Sequence, residues 1–274
     1  MARMARSGHA RSGVGRVPAW LYVPAAVGVL LIVLPPLALI GKTPWGEFWT
    51  SVTSESSLQA LELSLRTAAM TTALCVVLGV PMAMVFARHN GWVVRVLRSL
   101  VLLPLVLPPV VGGLALLYTF GRLGLVGKQL SAFGIEIGFT TTAVVLAQTF
   151  VALPFLVISV EGALRVSGTR YEQVAATLGA GPSRTLWTVT VPLAVPALLA
   201  GLVLAFARAM GEFGATITFA GNAPGVTQTA PLAIYVAQIN DPQEALPLSL
   251  VSVVIALVVV VAVHSRQSSR SAAL

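Results

Sequence analysis

The sequence predicts an all-α membrane protein with six transmembrane helices. Three observations carry that prediction. The 274 residues are 57% hydrophobic and only 9% charged, against roughly 25% charged in a soluble domain, and the mean hydropathy is +0.90. Six charge-free stretches each reach the roughly 20 residues that a spanning helix needs. None of them alternates apolar and polar residues as the strands of an outer-membrane barrel do.

In order, residues 1–16 (MARMARSGHARSGVGR) form a basic tail expected to be disordered. Residues 17–41 are the first predicted span. A cleaved signal peptide is the competing reading, but this run is too long for a signal core and no small-x-small cleavage site follows it. The second span, 67–87, contains Cys75, the only cysteine, so no intrachain disulfide is possible; its thiol reads as a small buried hydrophobe. The remaining spans are expected at 99–121, 137–160, 185–207 and 245–265, with 17–265 as one transmembrane domain and 266–274 as a tail. Prolines recur inside the runs (Pro35, Pro36, Pro104, Pro108, Pro109, Pro154, Pro192, Pro196), which predicts kinked helices whose freed carbonyls are satisfied by neighbours.

Charge fixes the expected orientation. With the N-terminus in the cytoplasm, the inside segments hold 12 of the 17 Lys and Arg residues, leaving Lys42, Arg66, Arg122, Lys128 and Arg208 outside. That bias predicts both termini in the cytoplasm of a multi-pass protein in the cytoplasmic membrane. The net charge of +8 therefore reports topology; the basic residues lie between apolar runs, and no nucleic-acid partner is expected.

No Asp, Glu, Lys, Arg or His stands at the centre of a predicted span, which argues against a proton-driven transporter and an intramembrane enzyme. The chain has no His-Glu-x-x-His pair, no Gly-x-Ser-x-Gly elbow and no Gly-x-x-x-x-Gly-Lys-Ser/Thr loop. No catalytic residue, metal site or cofactor is expected. Energy for active transport has to come from another protein.

One stretch interrupts the apolar pattern: YEQVAATLGAGPSRTLWTVTVPLAVPALLAG, residues 171–201. Tyr171, Val174, Ala175 and Leu178 fall at i, i+3, i+4 and i+7, the apolar face of a two-turn helix. Gly179 suits a left-handed C-terminal position, and Gly181-Pro182 stops the helix. Two turns are marginal alone and need a surface. Lipid is one candidate surface; the groove of a cytoplasmic partner is the other.

The stretch resembles the loop of ABC importer permeases that reads Glu-Ala-Ala, three residues, Gly, nine residues, aliphatic-x-aliphatic-Pro. Here Gln173, Val174 and Ala175 take the first positions, Gly179 the glycine, Val189 and Val191 the aliphatics and Pro192 the proline. The acid is displaced by one place to Glu172. The resemblance extends over about 60–265 and implies the type I (MetI-like) importer permease fold. It further implies that Tyr171–Pro192 couples the spans to an ATP-binding subunit, present in two copies, and that a second copy of the chain completes a homodimer.

A second stretch, FARAMGEFGATITFAGNAPGVTQTAPLAIY (residues 206–235), with LPLVLPPVVGG at 103–113, resembles the permeases of molybdate importers and, less closely, those of sulfate importers. That resemblance implies molybdate as cargo, sulfate or tungstate as the alternative, and an extracytoplasmic molybdate-binding protein as partner. A dianion needs a wet path at positive potential. Arg66, Arg122 and Arg208, at the expected outer ends of spans, are candidates for an electropositive vestibule, with interfacial anchoring as the alternative. Glu212 is spaced to pair with Arg208 on a helix. Thr216 and Thr218 offer uncharged donors for weak, releasable contacts.

Overall fold

In a computed structural model the structure describes residues 18–271, with side chains through Val261. The expected tail at 1–16 and the last three residues lie outside the described residues. The chain divides into two units, 1–42 and 43–274. The first contains α1 (Tyr22–Lys42), entered through one tight turn at Ala19–Leu21. Its best 18-residue window has a mean hydropathy of 2.5, so it is apolar on every side. Pro35 and Pro36 lie inside it.

The second unit is helical throughout its regular structure: α2 (Phe48–Val52), α3 (Glu55–Arg88), α4 (Trp92–Val106), α5 (Pro109–Phe120), α6 (Gly127–Ala132), α7 (Thr141–Ser167), α8 (Arg170–Thr177), α9 (Pro182–Thr185), α10 (Val191–Met210), α11 (Gly214–Phe219), α12 (Ala230–Asn240) and α13 (Ala245–Ser271). A π-helical turn, Leu186–Thr190, joins α9 to α10, so the chain runs as one helix from Pro182 to Met210. Pro192 lacks the N–H that would bond four residues back, and a widened turn just before it accommodates that loss.

Helix α7 is the centre. Its most apolar window is 67% buried, against 28% for α3 and 22% for Pro182–Met210, which flank it. The packing surfaces are made of small residues: Ala68, Cys75 and Ala83 from α3, Ala152 from α7, and Ala194, Ala205 and Ala209 from α10. Small side chains let backbones approach where lipid offers no hydrophobic drive between helices. A buried polar link crosses α3 and α7: Thr71 donates to Gln148 Oε1 at 3.0 Å, and Gln148 Nε2 donates to Thr67 Oγ1 at 3.2 Å.

The span expected at 99–121 is two helices bent by 119°. Leu107 precedes a proline and takes extended ψ (136°), and Pro108 does the same (133°). Two successive prolines supply no N–H to carry the ladder across. Among the described residues, four helices are long and apolar enough to cross a membrane, the bent pair adds a fifth if counted as one, and the apolar part of α13, Ala245–Val261, is shorter. Helix α13 continues through 266–271, beyond the span end expected at 265.

Besides the short helices α2, α6 and α8, α11 and α12 lie outside the expected spans. Short α11 packs on α5 and α7 through Phe219, Ala215 and Leu116. Helix α12 sits on α3 and α13 through Ala230, Leu61 and Leu248.

Candidate functional site

The amphipathic stretch folds as α8 between two glycines at positive φ: Gly168 (63°), which ends α7, and Gly179 (83°). At the latter, Ala180 N donates to Ala175 O and Gly179 N to Ala176 O, each at 3.0 Å. This pair of bonds is the Schellman closure, and it requires the left-handed residue that glycine supplies at no steric cost. Helix α9 restarts at Pro182, where a missing N–H costs nothing.

The two sides of α8 are arranged opposite to an ordinary surface helix. Tyr171, Val174 and Leu178 are 60%, 53% and 82% exposed, and Ala175 is half-buried. The side turned toward the chain carries Glu172 and Ala176, which line a cavity of 370 Å³ together with Arg88, Leu164, Leu186 and Thr190. The apolar face of this two-turn helix is held outward, away from the rest of the chain. Burying its three large side chains contributes about 1.5–3 kcal/mol each at full burial.

Glu172 points inward. Its Oε1 forms an ion pair with Arg88 Nη2 and accepts a hydrogen bond from Thr190 Oγ1 at 2.7 Å. Arg88 is the last residue of α3, where a cation complements the helix dipole. Its Nη1 reaches Leu164 O at 3.5 Å and Gly168 O at 3.4 Å at the end of α7. The displacement of the acid from the first motif position to 172 thus has a structural consequence: the carboxylate faces the helices and Gln173 is exposed, its Nε2 bonded locally to Thr169 Oγ1.

Beside this link, Glu161 on α7 meets two arginines. Arg165 Nε donates to its Oε1 at 2.8 Å. Arg98 Nε from α4 lies equally close to the same oxygen but is too poorly angled for a hydrogen bond, so the contact is an ion pair only. Both guanidinium groups also donate to Phe86 O, at 2.8 and 2.9 Å. That carbonyl is in the last turn of α3 and has no helical partner of its own. In the sequence Arg88, Arg98 and Arg165 count only among the inside cations of the orientation bias, and Glu161 and Thr190 carry no signal. Nothing local marks their pairing.

The candidate anion-path residues lie in three different surroundings. Arg208 Nη1 is 2.7 Å from Glu212 Oε2. Glu212 is 1% exposed, and its Oε1 accepts from Ala215 N at 2.7 Å, capping the start of α11. The pair therefore braces the break between α10 and α11. Thr216 is fully buried with an unpartnered hydroxyl, whereas Thr218 Oγ1 donates to Gly214 O at 2.8 Å in its own helix. Arg122 is 3.6 Å from Glu136, both well exposed. Arg66 lines a 250 Å³ pocket on α3 with Gln59, Glu62, Leu63 and Gly225. Close packing marks the α5–α11 contact: a Cβ at Gly113 would stand 2.8 Å from Ala215 O.

Comparison with known proteins agrees with this architecture. The family model described as "Binding-protein-dependent transport system inner membrane component" matches residues 75–268. The chain is 58% identical over 250 residues to the molybdenum transport system permease protein ModB of Mycobacterium tuberculosis, covering 91% of this chain and 95% of that protein. It is 34% identical over 210 residues to the sulfate transport system permease protein CysT of Escherichia coli, 76% of each chain. Among solved structures, a bacterial ABC transporter involved in the import of the acidic polysaccharide alginate superimposes with a TM-score of 0.64 at 18% identity, over 92% of this chain and 94% of that one.

Proposed function

This chain belongs to the family of binding-protein-dependent transport system inner membrane components, and from that premise we propose that it is the permease subunit of an ATP-driven molybdate importer. The observation that carries the cargo is the 58% identity to a molybdenum permease over nearly the whole of both chains, set against 34% to a sulfate permease. The observation that carries the mechanism is α8. It holds an apolar face outward on a helix too short to be stable by itself.

The partners follow from that reading. An ATP-binding subunit receives Tyr171, Val174 and Leu178 in a groove; two permeases and two such subunits make one importer. An extracytoplasmic binding protein delivers the anion to the opposite side. The positive-inside bias supports α8 facing the cytoplasm, with six crossings and both termini inside. Closure of the ATPase pair on ATP draws the two α8 helices together and turns the cavity between permeases outward; hydrolysis releases them and the cavity opens inward. The permease contributes the path and the lever, and the ATPase contributes the free energy.

The cargo is tested with the reconstituted importer and its binding protein. Molybdate stimulates ATP hydrolysis at concentrations well below those at which sulfate acts. The reverse order moves the assignment to sulfate; equal response to tungstate and molybdate widens the cargo to both.

A further inference from the structure

We propose that Glu172 is the positioning residue that passes motion from the docking helix to the membrane helices, through its link to Arg88 and Thr190. The inference rests on the reading of α8 as the ATPase-docking element and adds the route by which force leaves it.

Helix α8 is joined to the chain through a glycine at each end, Gly168 and Gly179, both at positive φ. Glycine restricts its backbone least of all residues, so these two joints are the softer connection between α8 and the bundle. A push on the outer face of α8 therefore reaches the bundle through side contacts. One carboxylate oxygen supplies a lateral link with long reach. Glu172 Oε1 holds Arg88, the last residue of α3, and Thr190, in the π-helical turn that leads into α10. Arg88 in turn reaches the last carbonyls of α7 through Leu164 O and Gly168 O. Three long helices thus converge on a single side chain of the docking helix. Behind the link lies the 370 Å³ cavity, so the inner side of α8 is incompletely packed there. Without the carboxylate, α8 has room to rock without moving α3 or α10.

The neighbouring charges leave Glu172 to this task. Arg98 and Arg165 are both engaged by Glu161 and by Phe86 O. Arg88 and Glu172 are only partly exposed, at 25% and 22%, so water screens their pairing less than at an open surface.

The test uses the full importer in proteoliposomes with its ATPase subunit and binding protein. Two readouts are taken together: copurification of the ATPase, and molybdate imported per ATP hydrolysed. Glu172→Gln keeps the shape and removes the charge. It is expected to retain the ATPase while lowering import per ATP at least about tenfold, the factor that loss of one charge-assisted hydrogen bond corresponds to. Arg88→Gln is expected to give the same loss with the ATPase retained, and the double variant Glu172→Gln with Arg88→Gln no larger a loss than either alone, which two independent defects in folding or docking would not do. Unchanged import per ATP in Glu172→Gln, loss of the ATPase from that variant, or losses that multiply in the double variant each overturns the inference. Failure of the unmodified permease to retain the ATPase is a different result: it removes the docking reading itself.

Discussion

Two acids in this molecule, Glu172 partly exposed and Glu212 buried, do opposite things with an arginine. Glu172 pairs with Arg88, a residue 84 positions away at the end of another helix. Glu212, in the break after α10, pairs with Arg208 four residues back in the last turn of α10 and caps the next helix through Ala215 N. The first arrangement ties separate helices together, so a displacement of one is felt by the others. The second closes on itself and fixes the angle of a single break. The rest of each region follows suit. Around α8, Arg98 and Arg165 bridge α4 and α7 to the end of α3. Around α11, contact with α5 is made by glycine against backbone, with no cross-helix ion pair among the described residues. Distance along the sequence distinguishes a charge pair that transmits from one that only shapes.

The sharpest way to break this comparison is to remove the helix that receives the push. Gly179→Pro forbids the left-handed φ of 83° and the N–H bond to Ala176 O. The Schellman closure is lost and α8 has no defined end. Retention of the ATPase subunit is expected to fall below detection, as is also expected on deletion of 171–179, while the chain still inserts in the membrane. Normal pull-down of the ATPase by the proline variant refutes α8 as the docking element.

A smaller effect is expected one layer inward. Glu161→Gln removes the negative charge facing Arg98 and Arg165 and leaves them a neutral amide oxygen beside Phe86 O. Glu161 is 10% exposed, and the arginines are 25% and 39% exposed, so their charges regain part of their hydration. The expected loss is about 1–3 kcal/mol of stability, at the lower end for pairs open to water, seen as a lowered Tm of the purified permease in detergent. No change in Tm means that the two bonds to Phe86 O hold the helix ends without the acid.

The contrast between the two pairs also explains what the amino-acid sequence disclosed. The i,i+4 spacing of Arg208 and Glu212 is a local pattern, and it was readable. So were the outer face of α8 and its stop at Gly179, because a helical period and a glycine at the chain reversal are local too. The long helices followed from runs of apolar residues. The bend at Pro108-Pro109 was legible as a kink but not as 119°, since proline sets where the ladder breaks and tertiary packing sets the angle. Helices α11 and α12 escaped because each is too short for an apolar run to stand out, and what holds them is contact with α5, α7, α3 and α13. Arg88–Glu172 escaped for the same reason: nothing in either residue's neighbourhood names a partner 84 positions away.

The smallest effect separates two readings of Arg208. As part of an electropositive vestibule it acts by charge; as a brace it acts by holding Glu212 at the α10–α11 break. Arg208→Ala lowers uptake under both readings, so it does not decide alone. Glu212→Gln does. It releases the Arg208 charge from its partner while leaving an oxygen able to accept from Ala215 N. If charge draws the dianion, uptake at low external molybdate holds or rises in Glu212→Gln and falls about twofold or more in Arg208→Ala, with a dependence on ionic strength that weakens in the latter. Lys128→Ala serves as the control at another cation that the positive-inside bias predicts on the outer side. If the pair is a brace, both variants lose uptake alike and salt makes no difference between them. The vestibule reading predicts the first pattern, and equal losses with equal salt dependence dismiss it.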